Sequence, residues 1–186
     1  GITGSGRFGA VTNIRAPQEK RVNAPTRGAL VADYLTGKKP AAEYIAGIVD
    51  RNDEYNGFNL IIGDAKQLIW FSNRAEGDAR NGRPLPPGIY GLSNALLDTP
   101  WPKVVRAKAQ FSSLLCQGAP EAAYFEMLSD TARAPDCRLP QTGIGLEMER
   151  VLSAVCIESP NYGTRASTVV QLDRAGGAML HEQMIR

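Results

Sequence analysis

Three positions in this chain combine a polar side chain with a point where a strand is expected to start or stop. They are Asn13 in VTNIR, Asn94 in YGLSN and Arg165 in NYGTRAST. An asparagine amide can donate to a developing oxyanion without titrating. An arginine offers a fixed, permanently charged fork for a carboxylate or phosphate. Rigid strand ends are good supports for such groups, because they hold them in place without a hinge. The same residues also have ordinary uses: asparagine closes turns, and arginine pairs with surface carboxylates.

Other candidates are weaker. Ser93 and Ser167 have no evident base beside them. The single histidine, His181, lies in the alternating run GAMLHEQMIR and reads as a surface strand residue. A histidine-rich metal site is therefore excluded within these residues, and a Ser–His or Cys–His nucleophile could be built only around His181. The three cysteines, Cys116, Cys137 and Cys156, have neither metal nor redox spacing. Cys156 sits in an apolar run, as a buried thiol would. Tyr55, Phe58, Tyr90 and Trp101 could wall a ligand cleft or fill a core. Arg51-Asn52-Asp53-Glu54 resembles a carboxylate pair, but neighbours on a helix diverge, so a solvated helix end is expected.

The 186 residues are 43% apolar with a formal net charge of +2, the profile of a packed globular domain. Basic residues are scattered, which argues against a nucleic-acid surface, although Arg74, Arg80 and Arg83 share one loop. No apolar run approaches the about 20 residues of a membrane-spanning helix. Free cysteines suit a reducing, cytoplasmic setting.

The elements that must position these groups follow from periodicity. Gly4-Ser5-Gly6 reads as the turn of a hairpin between a short strand at Gly1–Thr3 and a longer one at Arg7–Ile14. A helix capped by Thr26 runs to Leu35, and a second begins at Pro40 with Tyr44, Ile45, Ile48 and Val49 inward. Phe58–Gly63 and Leu68–Ser72 form a hairpin, 73–87 a loop and Gly88–Leu92 a short strand. Helices follow over Pro102–Gln117 and Pro120–Ala132. Val151–Glu158, Ser167–Leu172 and Ala178–Met184 read as closing strands. Helix pairs between hairpins, without strict βαβ alternation, predict an α+β fold of largely antiparallel strands layered with helices. The chain starts inside a half hairpin and without a methionine, so an N-terminal portion is expected to be missing from this single domain.

TNIRAP (12–17), RGALVADYL (27–35), YNGFNLIIGD (55–64), YGLSNALLDTPWPKV (90–104) and YGTRASTVV (162–170) resemble the NRDE family, the transport-and-Golgi-organisation type-two family. The family begins with methionine and cysteine and carries its Asn-Arg-Asp-Glu motif upstream of the matched region. The Arg51–Glu54 run is not that motif, being permuted and misplaced.

The family is similar to N-terminal-nucleophile hydrolases, such as bile-salt hydrolases and penicillin V acylases. The resemblance implies an αββα sandwich of antiparallel sheets flanked by helices, incomplete here at its N-terminus. It also implies a first-residue cysteine that attacks an amide with its own α-amine as base, in a site needing no histidine. By that analogy Asn13 and Asn94 polarise the carbonyl and Arg165 anchors the substrate.

The family is linked to haem trafficking and to lipid or acyl-CoA homeostasis. The first expectation is therefore a binding protein for a small amphipathic ligand. Phe58, Tyr90, Ser93 and Trp101 would contact it, and haem would be a transported ligand rather than a fixed cofactor. The second is a cysteine amidohydrolase acting on C–N amide bonds, its nucleophile in the missing segment. The third is a scaffold acting through protein contacts.

Overall fold

The computed structural model describes residues 1–173, 175 and 177–185, and divides them between two compact units. The first comprises Gly1–Gly88, Leu92–Leu97 and Gln171–Met179; the second comprises Ile89–Gly91, Asp98–Val170 and Leu180–Arg186. The strand pairings of the four-stranded sheet are antiparallel. The chain is thus a mixed α/β protein with, among the described residues, five α-helices.

In the first unit Ile2 bridges Phe8 across the Gly4–Gly6 turn, as the glycine spacing predicts. Strand β1 (Phe8–Asn13) pairs with β2 (Phe58–Gly63), which pairs with β3 (Leu68–Ser72), which pairs with the two-residue β4 (Arg83–Pro84). Helices α1 (Gly28–Thr36) and α2 (Ala41–Val49) supply Leu30, Tyr34, Ile45 and Ile48 to a core shared with Phe58, Leu60, Ile62, Ile69 and Phe71. Each such buried side chain contributes about 1.5–3 kcal/mol. A one-residue slip would turn Leu60 and Ile62 away from these helices, so the burial fixes the register: Val11 faces Leu60, and Leu60 faces Phe71.

Two details of the helices differ from expectation. Thr26 makes no side-chain cap; Arg27 occupies the cap position, and only the Thr26 carbonyl takes part, accepting from the Ala29 N–H at 3.2 Å. Val49 is 47% exposed rather than inward. It lies one residue past the buried Ile48, about 100° around the helix.

The second unit holds α3 (Pro102–Gln117), α4 (Glu121–Leu128) and α5 (Leu146–Val151). Gly118, in the left-handed region at φ 59°, ends α3 with its N–H on the carbonyls of Leu114 and Leu115. Phe111 and Tyr124 meet edge to face across α3 and α4, with centroids 5.6 Å apart. Helix α4 stops at Leu128, short of Ala132. The Ser129 N–H closes it on the Phe125 and Glu126 carbonyls, and the Asp130 carboxylate turns to the Ala132 N–H at 2.8 Å. Strands β5 (Ala166–Leu172) and β6 (Ala178–Met184) form a two-stranded sheet.

Two expected strands are absent. Residues 88–92 are irregular. Gly91 donates its N–H to the Asp98 carboxylate at 2.9 Å and accepts from the Asp98 N–H at 2.8 Å, so its backbone is used locally instead of in a ladder. Residues 151–158 are not a strand either. Val151 closes α5, and Ser153 Oγ donates to the Arg150 carbonyl at 2.7 Å while accepting from the Ala134 N–H at 2.9 Å. Such local side-chain bonds compete with strand pairing, and only a single bridge, Glu158 to Gly163, forms there.

Candidate functional site

The face of the first sheet turned away from α1 and α2 carries the alternate residues Thr12, Asn59, Trp70 and Ser72. Asn59, Trp70 and Ser72 are almost wholly buried. A buried asparagine needs its amide satisfied, and the Asn59 amide has three hydrogen-bond partners. Its Oδ1 accepts from Trp70 Nε1 at 3.1 Å, and its Nδ2 donates to Thr12 Oγ1 at 3.1 Å and to the Ala95 carbonyl at 2.8 Å. These partners fix which way the amide points: an indole N–H requires the oxygen, and a carbonyl requires the nitrogen.

Asn59 thereby ties two strand neighbours to the loop 93–97. Further bonds complete the clamp. Thr12 Oγ1 donates to the Ser93 carbonyl at 2.7 Å, the Arg15 N–H donates to the Asn94 carbonyl at 2.8 Å, and Asn94 Nδ2 donates to the Asn13 carbonyl at 3.0 Å. The loop is rigid without being a strand.

The clamp brings Asn13, Ser93 and Asn94 together. Asn13 ends β1 as expected and is exposed, and its side-chain amide has no partner among the described residues. Asn94 spends one amide proton on the Asn13 carbonyl, which leaves the second. Ser93 Oγ stands 3.5 Å from Asn94 Oδ1. Phe58 is fully buried, its ring 5.8 Å from Tyr55 and 5.9 Å from Phe71, and so sits in the core.

Tyr90, Trp101, Arg165, His181 and the three cysteines belong to the second unit, and the Arg51–Glu54 run to the first. Tyr90 is half-buried. Trp101, also half-buried, takes the cap position of α3, where its carbonyl accepts from the Val104 N–H at 2.9 Å. Arg165 directly precedes β5 and is exposed. Its carbonyl accepts from the Ile185 N–H at 2.9 Å, and its guanidinium has no ion pair among the described residues. His181 lies on β6 with Nδ1 2.6 Å from the Glu121 carboxylate, and Arg51 pairs with Glu54 on the surface. Cys156 is buried, and Cys116 and Cys137 are exposed. No helix among the described residues is long and apolar enough to cross a membrane.

Sequence reasoning missed Asn59 and Thr12. The signal for Asn59 was available: a polar residue in the otherwise apolar run FNLIIG, on the alternate face from Phe58 and Leu60.

Fold and clamp together define an antiparallel α/β protein whose sheet holds a polar loop on the face opposite its helices. The chain belongs to the Transport and Golgi organisation 2 family, whose model matches residues 1–186. A Bos taurus protein named Transport and Golgi organization protein 2 homolog is 36% identical over 197 aligned positions, which cover 98% of this chain and 70% of that protein. The Homo sapiens protein of the same name is 34% identical with the same coverage. The Mus musculus Transport and Golgi organization 2 homolog is 32% identical.

Proposed function

We propose that this protein binds a small amphipathic ligand, haem or a fatty-acyl-CoA, in trafficking or lipid homeostasis; its relatives are named for transport and Golgi organisation. The observation that carries the reading is the pair of amide groups on the clamped loop and strand end. The Asn13 amide has no partner among the described residues, and Asn94 keeps one N–H uncommitted. Polar groups held rigid and left unsatisfied by the protein are suited to a polar ligand head. In this reading Ser93 adds a hydroxyl to the same ledge. Arg165, Tyr90 and Trp101 belong to the second unit, and the ledge does not draw on them.

The same uncommitted amides favour a second reading, an N-terminal-nucleophile-like amidohydrolase on an αββα sandwich, in which they stabilise an oxyanion. Its nucleophile would be a leading cysteine, distinct from Cys116, Cys137 and Cys156.

Titration of the protein with haem and with palmitoyl-CoA, followed by absorbance and calorimetry, tests the first reading. Saturable binding that weakens severalfold in Asn94→Ala is expected. Absence of saturation by either ligand would refute it. Amide turnover that falls about 10²–10³-fold in Asn94→Ala would establish the hydrolase instead.

A further inference from the structure

A second cleft lies in the first unit and shares no residue with the Asn13–Asn94 ledge. It encloses about 410 Å³ beside α1 and α2, within the about 300–1,000 Å³ of small-molecule sites. Its apolar lining includes Leu30, Tyr34 and Ile48, all buried. Its charged lining is four cations, Arg7, Lys38, Lys39 and Arg51, against one carboxylate, Asp33. That is a local excess of +3, from four minus one, in a chain whose whole net charge is +2.

Structural duties account for part of this. Arg7 Nη2 donates to the Tyr34 and Lys39 carbonyls at 2.7 and 3.0 Å, satisfying the end of α1. Lys39 stands 3.8 Å from Glu43, and Arg51 2.8 Å from Glu54. Both ion pairs are largely exposed, where they contribute little and yield readily to a competing anion. Two donors are left over. Arg7 Nε is buried with no acceptor, and Lys38 has none among the described residues. A buried N–H without an acceptor is destabilising and calls for a partner. The Arg7 guanidinium also stacks 4.0 Å over the Tyr34 ring, which holds its plane in place.

We propose that this cleft binds a soluble phosphorylated small molecule, with the phosphate on Arg7, Lys38 and Arg51 and an apolar body over Leu30, Tyr44 and Ile48. Several cations lining one cleft suit a charge of two or more better than a single carboxylate. Gly47 of α2 lines the cleft, and a Cβ built there meets nothing within 4 Å. A large side chain at this position would fill the cleft without displacing the helix.

Calorimetry with inorganic pyrophosphate and with ADP tests the proposal, alongside flotation with phosphatidylcholine vesicles containing phosphatidylinositol phosphate. Saturable binding of both soluble probes is expected, weakened about tenfold in Lys38→Gln and abolished in Gly47→Phe, with the unfolding midpoint of each variant at or above that of the parent. Lack of saturable binding to either soluble probe, binding indifferent to both substitutions, or binding to the vesicles alone would overturn it. None of these outcomes bears on the Asn94 ledge, so the two readings fail separately.

Discussion

The buried amide of Asn59 holds the carbonyl of Ala95 at 2.8 Å, and so fastens an irregular loop to the middle of a sheet. Removing it strands three groups at once: the Trp70 indole N–H, the Ala95 carbonyl and one acceptor site on Thr12. Asn59→Leu is expected to lower stability by about 3 kcal/mol, as unpaired buried polar groups do. Asn94→Ala, which loses one bond at the surface, should cost about 1 kcal/mol or less. Urea unfolding of the two variants measures the contrast; equal losses would show that the clamp is not centred on Asn59.

Gly91 is required by close approach. A Cβ there would stand 2.5 Å from Val104 Cγ1 and 2.8 Å from Lys108 Cδ. The lysine tail can move, but Val104 is buried and cannot easily give way. Gly91→Ala is expected to destabilise by about 1–3 kcal/mol through overpacking, with partial recovery in the double variant Gly91→Ala, Val104→Ala. A neutral single variant in thermal unfolding would contradict this packing.

Alkali should expose the burial of Tyr44. Its hydroxyl donates to the Leu30 carbonyl at 2.8 Å. Burial first, then the charges of Asp33 and Tyr55, push its pKa up from 10.0 to about 12. The folded state therefore keeps a proton that the unfolded chain releases near 10.0. The resulting stability is complete below that pH and is lost as pH rises towards about 12. Urea midpoints followed across this window should fall more steeply for the parent than for Tyr44→Phe. Comparing the two cancels the lysines that titrate in the same range. Parallel curves would remove Tyr44 from the account.

Thiol chemistry separates the cysteines. Cys116 and Cys137 are exposed and Cys156 is buried at 2%. A disulfide reagent should consume two thiols quickly and the third only on unfolding. Three fast thiols would mean that the Cys156 region opens freely.

The elements most legible in the sequence were those whose local pattern and tertiary use agree. The hairpin Phe58–Gly63 with Leu68–Ser72 and the helix Pro102–Gln117 carry the boundaries their residues predict. The failures occur where side chains compete with the backbone. Gly88–Leu92 looks extended, yet Asp98 takes the Gly91 amide. The apolar run after Val151 looks like a strand, yet Ser153 folds it back on α5. The candidate site was half legible. Asn13 and Asn94 were visible as polar residues expected at strand ends; Asn13 does end β1, whereas Asn94 lies in an irregular loop because no strand forms before it. Asn59, which holds their loop, was hidden because its partners come from distant segments, 11, 36 and 47 residues away.

Trp70 gives the clamp an optical gauge. Its indole N–H rests on the amide that secures the Ala95 loop, inside a ring site with no solvent access. Emission from Trp70 is therefore expected at short wavelength, set apart from the half-buried Trp101. Any molecule that pulls on Ser93 or Asn94 would be felt by this fluorophore through two hydrogen bonds, and its arrival could be timed by light without attaching a dye.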